Sequence, residues 1–165
     1  MGIIFAAGSS THVIVIFRHL SNFCFQLDPV LQLVVLEWVA LSNPVHFRAN
    51  ALQLLALLEA QEVRHLLLDM NSFPDLSVAD QLWLGEHWMP GLVKLPLEHL
   101  ILVIDGSRVH NQLAIDALHD LVQPAICFSS HYFTDVASAL DWLTDGSPQL
   151  PLLAAEWAAR YAPGA

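Results

Sequence analysis

Positive charge is scarce in this chain. Six Lys and Arg stand against sixteen Asp and Glu over 165 residues, a formal net charge of −10. Nucleic-acid binding needs clustered cations that displace counterions from phosphates. Arg18, Arg48, Arg64, Lys94, Arg108 and Arg160 are scattered singly, so neither nucleic acid nor an anionic membrane is an expected partner. Charge of either sign is low, 13% of residues against roughly 25% in an average soluble protein.

Long apolar runs are missing too. The longest charge-free run, Met1 to Phe17, is interrupted by Gly8-Ser9-Ser10-Thr11-His12, whereas a membrane-crossing helix needs about 20 mostly apolar residues. A signal peptide needs a basic start and a longer apolar patch than Ile3 to Ala7, so the cytoplasm is the expected location. Of the two cysteines, Cys24 and Cys127, both lie in apolar, strand-like runs. They read as buried thiols rather than a disulfide. The nine histidines include no His-x-x-x-His pair, and there is no Cys-x-x-Cys, so no metal site is expected. A Gly-x-Ser-x-Gly elbow is absent, as is a phosphate-binding glycine loop. No cofactor is expected.

What is present is apolar surface, 55% of residues, on a chain long enough for one sizeable core. The surplus suits a homodimer interface or an apolar ligand groove. Residues 64–92 set the fold class. A short apolar run, Leu66-Leu67-Leu68, ends at Asp69. A polar, proline-containing loop follows, and Ser77 opens a helix with Asp80 at the capping-box position. A buried strand feeding a helix is the unit of an α/β sheet.

The remaining elements fit that unit. Val13 to Phe17 has strand propensity, and residues 1–20 read as a leader or an extra edge strand. Residues 22–28 and 31–39 form a hairpin turned at Asp28-Pro29. Asn43-Pro44 has the chemistry of a helix cap and first helical residue. That helix carries Phe47, Ala51, Leu54, Leu55 and Leu58 on one face. Strands are expected at 65–70, 98–105 and 125–129. Helices are expected at 77–89, stopping at Pro90-Gly91, and at 111–122. A further helix is capped at Thr134-Asp135, with Val136, Leu140 and Leu143 inward. Asp145-Gly146-Ser147-Pro148 breaks the chain before a last helix, 151–162, with Leu152, Ala155, Ala159 and Trp157 available for docking. The main domain is 21–146, with 147–165 a C-terminal helix packed on it.

The hairpin with Leu36-Glu37-Trp38, then Leu66 to Met70, Ser77 to Trp83, and Ala137-Ser138-Ala139-Leu140-Asp141-Trp142-Leu143 resembles small bacterial proteins of the STAS-like class. These share the SpoIIAA-like fold of anti-sigma-factor antagonists. The resemblance covers about residues 22–144. It implies an α/β fold in which an N-terminal β-hairpin is followed by β-α repeats. The sheet is then mostly parallel, with about five strands and helices mainly on one face. The opposite face would be covered by residues 1–20, the C-terminal helix or a second subunit. The antagonists carry a phosphorylatable serine at the start of the helix after the third strand, inside Asp-Ser-Ser/Thr-Gly. Ser77, in Pro74-Asp75-Leu76-Ser77-Val78, is the positional candidate. The glycine and the paired Asp-Ser are missing here.

Three functions follow as expectations. The first is a non-enzymatic interaction module with a protein partner, homodimeric. The second is a binder of an apolar small molecule or lipid, for which Trp38, Trp83, Trp88 and Met89 are the aromatic and soft side chains. Trp83 and Trp88 diverge by about 140° on an α-helix, so one of them is expected at an interface. The third is Mg²⁺-dependent phosphoryl transfer, as in receiver domains, using Asp69 and Asp105 at strand ends. Asn71, Ser107 and Arg108, in the loops after those strands, complete the candidate binding or interface residues. Ser129-Ser130-His131 pairs a nucleophile with a base in sequence, but neighbours on a strand point to opposite faces.

Overall fold

A computed structural model describes residues 23–38 and 46–161. Residues 1–20, with the strand expected at 13–17, and the Asn43-Pro44 cap lie outside the described residues. Five strands form one sheet in the order β1-β2-β3-β4-β5: Phe23–Asp28, Leu33–Trp38, His65–Asp69, His99–Val103 and Ser129–Phe133. β1 runs antiparallel to β2, and the other neighbours are parallel. The turn after β1 is tied by Asp28, whose Oδ1 accepts from the N–H groups of Val30 and Leu31 at 2.8 and 3.0 Å.

The pleat sends alternate residues to opposite faces. One face carries Phe25, Leu36, Leu68 and Leu102, and it is covered by α1 (Phe47–Glu59), α2 (Val78–Trp83), α3 (Met89–Leu92) and α4 (Val109–Val122). α1 buries Phe47, Ala51, Leu54, Leu55 and Leu58, the face its periodicity predicts. The other face carries Leu33, Val35, Leu67 and Ile101. It packs against α5 (Val136–Thr144) and α6 (Gln149–Tyr161). Helices therefore lie on both faces: the C-terminal helix α6 takes a place left open for it as one of three covers, while α5, expected with the other helices on the first face, lies beside it on the second. The chain turns from α5 towards α6 at Asp145 and Gly146, both left-handed at φ 48° and 67°. That conformation ends α5.

Four segments depart from their sequence patterns. The last strand is Ser129–Phe133, not 125–129, and Gln123–Ala125 is a short 3-10 turn. The apolar Ala125 to Phe128 run leads into the strand, so Cys127 is exposed rather than buried, and Cys24 is half-buried. α6 docks through Leu153, 1% exposed, and through Trp157, as expected, while Leu152, Ala155 and Ala159 face outward. The docking stripe is displaced by one residue because Gln26, buried on the sheet, bonds the Leu153 carbonyl at 3.2 Å and Glu156 at 2.6 Å. The helix expected to stop at Pro90-Gly91 instead runs on to Leu92 through a π-helical turn, Leu84–Trp88. Proline lacks an N–H and crowds the carbonyl four residues back. The wider turn just before Pro90 accommodates both defects.

Candidate functional site

The π turn lies where α1, α4 and the sheet meet, and its neighbours leave an apolar cavity of about 100 Å³. Leu36, Leu68 and Leu102 form the floor; Ala51 and Leu54 of α1 form one wall. Leu84, Trp88 and Met89 form a second wall, and Ile115 and Leu118 of α4 a third. Two glycines permit this closeness. A Cβ on Gly91 would lie 2.3 Å from Leu55 Cδ2, and one on Gly85 would lie 2.8 Å from Leu121 Cδ2. The Trp88 indole N–H donates to the Ala51 carbonyl at 2.8 Å. With that polar group satisfied, the ring presents hydrocarbon to the cavity.

The two tryptophans flank this turn differently. Trp88 is buried, and Trp83 is half-buried against Phe47 with ring centroids 6.4 Å apart. Both reach α1, Trp83 at Phe47 and Trp88 at Ala51, one of them buried and the other half-buried. Trp83 also stacks on His87 at 5.7 Å and takes the Arg48 guanidinium over its ring at 5.5 Å.

At the strands' C-terminal end lies a second, polar cup of about 390 Å³ lined by Asn71, Ser72, Pro74, Asp75 and Arg108. Trp38 and Phe73 line both spaces. Their rings meet edge to face at 4.9 Å, and Trp38 also contacts Phe47 at 5.5 Å. The cup is built by loop hydrogen bonds. Asp69 Oδ1 accepts from the Asn71 N–H at 3.0 Å, and Asn71 Oδ1 accepts from the Asp105 N–H at 2.7 Å. Asp105 Oδ1 accepts from the Ser107 N–H at 2.7 Å. The Ser107 bonds hold the Asp105 carboxyl below the usual carboxylate range. Arg108 Nη2 donates to the Phe73 carbonyl and lies 3.4 Å from Asp75. Asn111 is fully buried at the start of α4 and donates to the Phe73 and Pro74 carbonyls at 3.3 and 3.4 Å. Its role was not visible in sequence, where it reads only as a helix start.

The candidate residues thus divide. Trp38, Trp88 and Met89 converge on the cavity; Asn71 and Arg108 converge on the cup. Asp69 and Asp105 serve loop backbones, and among the described residues no three His, Cys, Asp or Glu side chains lie close enough to hold a metal ion. Asp69 instead sits beside Glu37, its register neighbour on β2. Burial, and secondarily the Asp69 charge, pushes the Glu37 carboxyl up. Ser77 caps α2, accepting from the Asp80 N–H at 3.1 Å and donating its hydroxyl to Asp80 Oδ2 at 2.7 Å. The Ser77 hydroxyl, then Arg48, holds the Asp80 carboxyl low.

Three of the histidines assemble on the α5 face, a grouping the sequence spacing hides. His65 stacks on His99 at 5.3 Å, His99 meets His131 at 5.3 Å, and Trp142 of α5 covers His131 at 4.3 Å. Burial, then the neighbouring His99, keeps His65 and His131 below the ordinary imidazole range. Arg64 and Glu98, paired at 2.5 Å, are the charges acting on the row. Register partners Leu100↔Ser130 and Ile101↔His131 place Ser130 and His131 on opposite faces, so they form no dyad.

No helix among the described residues is long and apolar enough to cross a membrane. The chain matches no model of a known protein family, no curated protein and no solved structure.

Proposed function

We propose that this chain is a non-enzymatic binding module of the STAS-like class that holds a small apolar molecule between its sheet and helices α1 to α4. One observation carries the reading: the apolar void of about 100 Å³ among Leu36, Ala51, Leu84, Trp88 and Leu102. Native cores are close-packed and hold few voids larger than a water molecule. An apolar void stays dry, and one of about 150 Å³ binds benzene or xenon. The space here suits something smaller than benzene, or the end of an acyl chain. The adjoining π turn supports the reading, since such turns recur at functional sites.

The test is methyl NMR of the full chain under xenon pressure. Saturable shifts confined to Leu36, Leu54, Leu84, Leu92 and Leu102 are expected. Uniform small shifts over all methyls would refute a specific cavity.

A protein-contact role is the second reading. It is favoured by exposed Val78, Leu82 and Leu121 along the groove between α2 and α4, where Leu82 and Leu121 are 62% and 65% exposed. Sedimentation velocity over a range of concentrations tests it. A constant monomer mass would oppose self-association through that groove.

A further inference from the structure

We infer that the ligand is amphipathic, a short-chain carboxylate whose tail fills the apolar cavity and whose head meets Arg108 in the polar cup. This rests on the cavity reading above. The two spaces share Trp38 and Phe73, so a molecule that parts this ring pair has its tail in hydrocarbon and its head in the cup. The cup lies past the carboxyl ends of the parallel strands, where open α/β sheets bind their ligands.

Arg108 decides the sign of the head. Among the described residues it is the single cation lining the cup. One terminal nitrogen is used by the Phe73 carbonyl. Its Nε is shut off from solvent and has no hydrogen-bond partner. That Nε is closed to a ligand in the cup, but the Arg108 side chain is 31% exposed where it lines the cup, and a carboxylate there accepts a charge-assisted bond from the exposed part of the guanidinium. The resident acid is a weak competitor: Asp75 lies 3.4 Å away with its side chain 74% exposed. An exposed pair of this kind contributes little. The net charge of −10 disfavours anions at long range, but salt screens that field beyond about 8 Å. The contact with Arg108 therefore outweighs it.

The test is calorimetric and NMR titration of the full chain with pentanoate, pentan-1-ol and pentylamine, alongside xenon. Pentanoate should bind roughly tenfold tighter than pentan-1-ol, as one charge-assisted bond implies. Arg108→Gln should remove that advantage and leave pentan-1-ol unchanged. Because Arg108 also ties the Phe73 loop, a second variant, Asp75→Asn, changes only an exposed side chain. It should tighten pentanoate about threefold by removing the competing carboxylate. Pentanoate binding no better than pentan-1-ol, or pentylamine binding best, overturns the assignment of the head while xenon and pentan-1-ol still report the cavity. If xenon and pentan-1-ol also fail to bind, the cavity reading falls, and this inference with it.

Discussion

Replacing Ala51 with leucine should stabilise the protein, although Ala51 is only 5% exposed and sits in the core. Enlarging a buried side chain in a well-packed core usually costs about 1–3 kcal/mol through strain. Ala51 differs because it lines the void of about 100 Å³. At about 24 cal/mol per Å³ of residual volume, such a void costs about 2.4 kcal/mol relative to a filled core. Leucine fills part of it, and its backbone carbonyl still accepts from Trp88. A gain of about 1 kcal/mol is expected, within the usual range for cavity filling. For a chain of this size that raises Tm by about 2–4 °C. The control is Ala139→Leu, at a fully buried alanine in the core on the opposite face, which lines neither the cavity nor the cup. That variant should lose about 1–3 kcal/mol. Urea denaturation of both, with xenon titration of Ala51→Leu, gives the result. The reasoning is refuted if Ala51→Leu loses as much stability as Ala139→Leu, or keeps the xenon response of the parent.

The histidine row makes stability depend on pH. His65 and His131 have folded pKa values below their unfolded value near 6.5, so the unfolded chain takes up protons first and stability is lost as pH falls below that value. Urea midpoints from pH 8 to 5 should fall on the acid side, and the fall should shrink in His131→Asn; an unaltered profile in that variant would count against the row. Gly91→Ala drives a methyl into Leu55, 2.3 Å away in a packed wall. A loss of about 1–2 kcal/mol in urea melts is expected once the helix-propensity gain of about 1 kcal/mol is set against the strain, and a neutral result would mean α1 and α3 do not meet there. Tyr161→Phe removes a hydroxyl that accepts from the Phe25 N–H at 3.1 Å and donates to its carbonyl at 3.0 Å on the edge strand. Loss of about 1–2 kcal/mol is expected, with faster hydrogen exchange at Phe25; unchanged exchange would place α6 elsewhere.

Sequence alone determined the alternation of strands and helices, and with it the α/β class. It also determined the inward face of α1, the Asp28 turn, the Ser77 cap and the break at Asp145-Gly146. Each of these is written in a few neighbouring residues: a period, a turn former, a capping hydroxyl. Tertiary structure decided the rest. Periodicity says that a helix has an apolar side but not which sheet face receives it, so the crossing of α5 to the second face was not legible, and α6 there was one of three options. The start of β5 at Ser129 depended on its pairing with His99, not on the apolar run before it. The passage of the helix through Pro90 depended on a π turn held between α1 and α4. The cavity, the cup above it and the histidine row join residues far apart in the chain. Such gatherings are set by strand register and helix packing, which are properties of pairs of elements that no single segment encodes.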